Sequence, residues 1–321
     1  EKGGLRHCDK TFECEQLIAR RLNAPREQRQ IARTADDSKL QFRDQVQRNV
    51  HSAGSGEMRK DSSMARTFID LSVHLENGGL ADPPGYAPEI DYRSHRDTAA
   101  DVCRLFPGLT PADLPDGEGW AIEHIRLTTH AGTHLDAPWH FASIMDGDKR
   151  AITIDEVPLD WCMRPGVKLD FRHFPDGHVV TAKEVEAELD RIGHDLQPLD
   201  IVVVNTRAGS RFGQPDYVAS GCGMGREATL FLTERGVRIT GTDAWSWDAP
   251  FVYTAKRYAQ THDASIIWEG HKAGRTIGYC HIEKLANLDR LPPAGFTVCC
   301  FPFKIRGASA GWTRAVAIID R

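Results

Sequence analysis

The sequence predicts an α/β fold carried by residues 66–321. Short β-rich runs alternate with helical stretches from Ala65 onward, the pattern of a sheet covered by helices. Two of the helical stretches carry their own start or stop residues. Upstream of Ala65 the composition changes abruptly: residues 1–65 contain no Trp or Tyr and are dense in Arg, Lys, Asp and Glu.

The upstream segment buries too little to offset the entropy of ordering it. It is expected to be a disordered N-terminal extension with no part in the activity. Glu15–Arg21 and Ser38–Val50 could form short helices within it, and Ser52-Ala-Gly-Ser-Gly-Glu57 reads as a flexible linker. The ordered region opens with a strand at 67–72 and a turn at Pro83-Pro84-Gly85. A long polar connection follows at 87–119, of the kind that forms lids or interfaces. Strands are expected at 122–128, 166–171, 200–205, 236–241, 264–268, 296–301 and 314–319. Helices are expected at 181–192, 226–235 and 251–261. Thr181 and Glu184 make a capping box for the first helix, and Gly193 ends it. Gly236 ends the second in the same way. No internal repeat is present.

The chain has 321 residues, a net charge of −5 and eight cysteines. A mildly acidic chain offers no broad surface for nucleic acid or an anionic membrane. No run approaches the roughly 18 apolar residues of a spanning helix, and none near the start has a secretory core. The cysteines lack disulfide-scaffold density. Cys103, Cys162, Cys222 and Cys280 read as isolated buried thiols and Cys299-Cys300 as a core pair, which fits a reducing, cytoplasmic setting.

The chemistry concentrates in one run, His130-Ala-Gly-Thr-His134-Leu-Asp136-Ala-Pro-Trp-His140-Phe. Three imidazoles and a carboxylate so close together make a ligand set for a divalent metal. On a helix, at about 100° per residue, Asp136 and His140 would point away from His130 and His134. In an extended chain all four share parity and one face. The expected backbone is therefore a strand running into a loop at Pro138.

The same run resembles the signature of the cyclase-family metal hydrolases, which include bacterial kynurenine formamidases and isatin hydrolases. Phe68-Ile-Asp-Leu-Ser72, Asp200-Ile-Val-Val-Val-Asn-Thr206, Gly236-Val-Arg-Ile-Thr-Gly-Thr-Asp243 and Glu283-Lys-Leu-Ala-Asn-Leu288 resemble further family segments, as do Phe301–Ile305 and Arg314–Ile318. The resemblance spans about residues 66 to 321. It implies a single domain of the swivelling β/β/α type with a mixed sheet or barrel-like core. It also implies a small-molecule substrate, a homodimer or homotetramer, and two divalent ions per subunit, zinc or manganese.

The resemblance further assigns His130, His134, Asp136 and Glu283 to one metal. Asp136 and Glu283 bridge to a second metal, which His271 also binds, and His140 is the catalytic acid/base. The spacing of His271 and Glu283 agrees with the family's His and Glu pair, but His281 could take the place of His271. Around the centre, Tyr86, Trp139, Phe141, Asp243 and Trp245 are candidates for the substrate pocket, with Trp247 a possible further wall. Asp243 could instead orient a ligand imidazole through its second nitrogen. The Gly-rich Gly221-Cys-Gly-Met-Gly225 reads as a flexible rim loop. Extra length relative to small family members falls at 87–119 and around 251–280, where substrate choice would be set. The implied reaction is hydrolysis of a linear or cyclic amide of a small aromatic metabolite. A lactone is the close alternative. A mononuclear iron oxygenase would use two His and a carboxylate, and a metal-binding protein without catalysis is the remaining possibility. His140 and the second ligand set favour the hydrolase.

Overall fold

The apolar runs assemble into one mixed sheet whose strands are numbered here in chain order. They are β1 (Arg66–Asp70), β2 (His134–Asp136), β3 (Met163–Asp170), β4 (Ile201–Asn205), β5 (Ile239–Thr242), β6 (Cys280–Glu283), β7 (Phe296–Cys299), β8 (Ala310–Trp312) and β9 (Val316–Asp320). The computed structural model describes residues 65–83 and 85–320. Residues 1–64 of the expected extension lie outside them, as does Pro84 of the expected turn. The spatial order is β1-β9-β7-β3-β4-β5-β6-β2-β8. β3, β4, β5 and β6 run parallel. The remaining neighbours pair antiparallel, and the sheet curls into a half-barrel.

The central parallel strands are apolar on both faces because both faces are covered. All five residues of β4 are buried, and their alternation feeds two cores. Val202 and Val204 join Val167 and Leu169 against Val185, Leu189, Ala228 and Leu232. These last residues lie on α3 (Ala182–Ile192) and α4 (Arg226–Glu234). Ile201 and Val203 face the other way, among Leu71, Leu135, Ile239, Ile282, Leu285 and Val298. The start of α3 is as expected: the Thr181 hydroxyl accepts from Glu184 N–H, and the Glu184 carboxylate accepts from Thr181 N–H at 2.8 Å. Gly193 ends the helix at φ 65°. Two shorter helices flank the centre described below, α2 (Pro138–Phe141) and α6 (Glu269–Ala273). α5 (Phe251–Thr261) has its expected bounds.

Three expectations change. The stretch 264–268 is not a strand: Ala264–Ile266 is a single 3-10 turn, opened by the Asp263 carboxylate accepting from Ser265 N–H at 2.9 Å. A local side-chain bond of this kind outcompetes the strand preference of two adjacent isoleucines. The long connection 87–119 is partly regular. It holds α1 (His95–Leu105) and a strand, Glu89–Arg93, that pairs with Ile122–Arg126 in a separate ribbon. Helix α1 buries only Thr98 and Ala99, and its mostly polar residues leave it within the polar connection when read from sequence. Finally, β5 starts at Ile239 rather than at 236, because Gly236, at φ 90°, belongs to the turn leaving α4.

Cys162, Cys222, Cys280 and Cys300 are buried free thiols, whereas Cys103 and Cys299 are partly exposed. Among the described residues no helix is long and apolar enough to cross a membrane.

Candidate metal centre

Two antiparallel strands lay down the heart of the site. β2 and β6 pair with His134 opposite Glu283, Leu135 opposite Ile282, and Asp136 opposite His281. Side chains alternate across a strand, so Leu135 and Ile282 enter the apolar core while the four polar residues share the other face. On that face His134 Nε2 lies 3.3 Å from Asp136 Oδ1 and 3.6 Å from Glu283 Oε2. His281 Nε2 lies 3.1 Å from Asp136 Oδ2 and 3.2 Å from Glu283 Oε1.

The rest of the signature run does not continue the strand, which corrects the expected backbone. Gly132 takes φ 61° and turns the chain ahead of β2. Pro138 opens the one-turn helix α2 rather than a loop. A proline at the first helical position gives up an N–H that would be unpaired anyway. Shared parity therefore holds only for His134 and Asp136, and His130 and His140 reach the same place from a turn and a helix. His130 Nδ1 is 2.9 Å from Asp136 Oδ1, with its Nε2 3.0 Å from Ser309 Oγ. His134 turns its Nδ1 to Gly132 O at 2.8 Å. His140 stands at the edge, with Nε2 4.0 Å from Asp136 Oδ2 and its ring 4.1 Å from that of His130.

His271 enters from α6, and Nε2 comes within 3.6 Å of Glu283 Oε1. A different carboxylate from the expected one aims it. Asp248 Oδ2 accepts from His271 N–H at 3.0 Å and lies 2.5 Å from His271 Nδ1, while Asp248 Oδ1 accepts from Gly270 N–H at 2.9 Å. One carboxylate thus satisfies the open amides at the start of α6 and turns the imidazole toward the centre. Among the described residues Asp243 bonds no imidazole, and it is absent from the lining of the apolar hollow described below. It is buried, accepts from Thr206 N–H and Oγ1 (2.9 and 2.7 Å), and is pushed up to about 7 by burial.

The loop carrying Asp248 rests on the Gly-rich run, which is buried rather than a flexible rim. Gly223 N–H donates to His178 O, and Met224 N–H donates to Trp247 O. A Cβ on Gly223 would lie 1.8 Å from Ala249 N. Only glycine lets the two backbones approach this closely. On the opposite flank, Lys284 donates from Nζ to Asp82 and to His130 O, tying Asp82 to the centre.

Among the described residues, Nε2 of His134 is buried without a hydrogen-bond partner, and both oxygens of Asp136 are buried with only imidazole nitrogens close to them. Such groups are costly unless something electrophilic completes them. The donors fall into two sets that share Asp136: His130, His134 and Asp136, and Asp136, His271, His281 and Glu283. Nitrogen and oxygen donors of this kind fit divalent zinc or manganese.

The electrostatics agree with that chemistry. Burial opposes ionisation of Asp136, but the surrounding imidazoles outweigh it and hold the carboxyl well below its ordinary range. Glu283 is likewise depressed, chiefly through His281 against the cost of burial. Burial pulls His281 down, yet with no cation between them the two carboxylates raise it to about 9; a bound cation would take the place of that proton. His140 is lowered to about 4, first by burial and then by His130 and His271, with Asp136 and Glu283 pulling the other way. It is therefore a neutral base near pH 7.

The expected pocket aromatics divide. Phe141 is buried and packs face to face on His281 at 5.0 Å, so it supports an imidazole of the centre rather than lining a pocket. Trp247 is core and donates to Thr229 Oγ1. Trp245 donates to Asp82 Oδ1 and packs on Phe251. Tyr86 and Trp139 are exposed, and neither lines the hollow beside the centre. That hollow, about 410 Å³ and almost wholly apolar, is lined by Phe251, Thr254, Ala255, Tyr258, Ile267 and Trp268. Trp268 also stacks on His271 at 4.6 Å and meets His140 edge-on at 5.1 Å. Sequence reasoning passed over Asp248 and Trp268. The one signal for Trp268 was its position three residues before His271 in the extra length around 251–280.

Among known proteins, the Cyclase family model matches residues 69–249. The match takes in the signature run and ends before His271, His281 and Glu283. A kynurenine formamidase of Salinibacter ruber is 28% identical over 195 residues, covering 60% of this chain and 77% of that protein. Isatin hydrolase A of Ralstonia solanacearum superposes with a TM-score of 0.61 at 22% identity, over 79% of this chain and 92% of that one. Isatin hydrolase A of Labrenzia aggregata, solved bound to benzyl benzoate, gives 0.59 at 23% identity, over 80% and 94%. Likeness at that identity speaks to the fold.

Proposed function

The chain belongs to the Cyclase family, and from that premise we propose that it is a metal-dependent hydrolase. The proposed reaction is cleavage of a linear or cyclic amide C–N bond in a small aromatic metabolite. The observation that carries this reading is Asp136, buried with each oxygen facing imidazole nitrogens, between two sets of imidazole and carboxylate donors. His130, His134 and Asp136 would hold one divalent cation, and Asp136, Glu283 and His271 would hold another. When bound, such ions bring the pKa of a coordinated water near neutrality and polarise the scissile carbonyl.

His140 supplies what the ligands do not. Its imidazole is neutral near pH 7 and partly exposed beside the donors. Nε2 can accept a proton from the attacking water and return it to the leaving nitrogen. Trp268 and the apolar hollow behind it support a flat, apolar substrate. The Salinibacter ruber relative is named a kynurenine formamidase, which supports an amide C–N bond here. The two adjoining donor sets favour this reading over a mononuclear iron oxygenase.

The test is turnover without oxygen. Protein loaded with Zn²⁺ or Mn²⁺ is assayed anaerobically against N-formylkynurenine, isatin and a panel of lactones. Amide opening that disappears with chelation is the expected result. Turnover of lactones alone would move the leaving atom to oxygen, and a strict oxygen requirement would sink the hydrolase.

A further inference from the structure

We infer that His281 is a cation ligand, so that the second metal position has four protein donors: Asp136 Oδ2, His271 Nε2, His281 Nε2 and Glu283 Oε1. This rests on the metal-centre reading above and goes beyond the single histidine expected at that position. His281 is placed directly opposite Asp136 in the β2–β6 pair, and it shares parity with Glu283 two residues on. Its side chain therefore projects into the same polar face as Asp136 and Glu283. Ligand atoms of the four residues lie within 4.8 Å of one another, and all four residues are buried.

The ring is held by packing. Phe141 lies parallel to it at 5.0 Å and 4°, and Trp247 lies on it at 6.0 Å and 16°. The edge of His271 meets it at 4.4 Å and 85°. His134 and His271 are aimed by hydrogen bonds at their remote nitrogens, whereas Nδ1 of His281 is buried without a partner. The aromatic sandwich takes over the orienting role, and it leaves Nε2 as the nitrogen that faces the carboxylates.

The consequence is a difference between the two positions. Four nitrogen and oxygen donors complete the shell of a four-coordinate zinc, as in closed structural sites. The other position, at His130, His134 and Asp136, has fewer donors of its own and lies beside the partly exposed His140. It is the position with room for water and substrate. The centre thus holds one retained ion and one exchangeable ion.

The test reads metal content and ligand field rather than turnover. Full-length protein is loaded with Zn²⁺, dialysed against a weak chelator, and analysed for metal per subunit; a parallel sample is loaded with Co²⁺. The inference predicts two equivalents on loading, one surviving dialysis, and the intense visible bands of four-coordinate cobalt from the surviving ion. In His281→Ala and His281→Gln, with fold checked by circular dichroism, loading gives one equivalent and none survives dialysis. One equivalent in the wild type, or a retained equivalent unchanged in both variants, overturns it. The wild-type cobalt spectrum decides the matter even if a variant fails to fold: the weak bands of six-coordinate cobalt in the retained ion would contradict a closed site. Loss of the retained ion in a protein that hydrolyses no amide would sink the proposed function and leave this assignment standing.

Discussion

Asp136 ties the site together because each of its oxygens faces a different set of imidazoles, and among the described residues no other donor reaches either oxygen. Around it, aim matters as much as identity. Asp248 fixes His271 through the ring and through two amides of α6. Exchanging Asp248→Asn keeps the shape but removes the charge that holds the Nδ1–H tautomer in place. Metal affinity should fall by about 10–100-fold, as read by competition with a chromophoric chelator; wild-type affinity would refute this role. His130, His134, Asp136 and His140 were legible in the sequence because one short run carries all four. Asp248 was not, since nothing local links it to a histidine 23 positions away. Asp243 looked like the better candidate only because it follows a strand directly.

At the scale of elements, strand pairing decides which residues meet. The β2–β6 register converts two short sequences into four donors on one face, a result no single-strand periodicity could announce because the partner strand is far away in sequence. Capped helices fared differently: Thr181, Glu184 and Gly193 are local signals, and α3 lies where they put it. The opening run shows the limit of parity, since Gly132 and Pro138 cut the strand to three residues. The Gly-rich run belongs at this scale too, because Gly223 lets the loop carrying Asp248 settle against its backbone. A Gly223→Ala substitution must push that loop away. Overpacking of this kind costs about 1–3 kcal/mol, seen as a lower melting temperature, and metal affinity should fall with it as Asp248 and His271 shift. An unchanged melting temperature and metal content would show that the contact is not needed.

Over the molecule as a whole, the centre sits where the topology provides a place for it. Glu283 ends β6, and the loop bearing Asp248 follows β5, so both come from the carboxyl ends of parallel strands, where α/β sheets gather their sites. Two apolar cores hold the sheet from either side. The α/β class was readable from the alternation of runs, while the strand order depended on long-range pairing that alternation does not encode. The central claim is that this frame holds metal ligands and, separately, a proton carrier. Substituting His140→Ala separates the two most directly. With metal content and hydrolysis of an accepted amide measured on the same preparation, the variant should keep nearly all its metal and lose about 10²–10⁴-fold in kcat, the span of general acid–base catalysis. Loss of metal in proportion to activity would make His140 a ligand, and undiminished turnover would remove it from the reaction; either result would contradict the account.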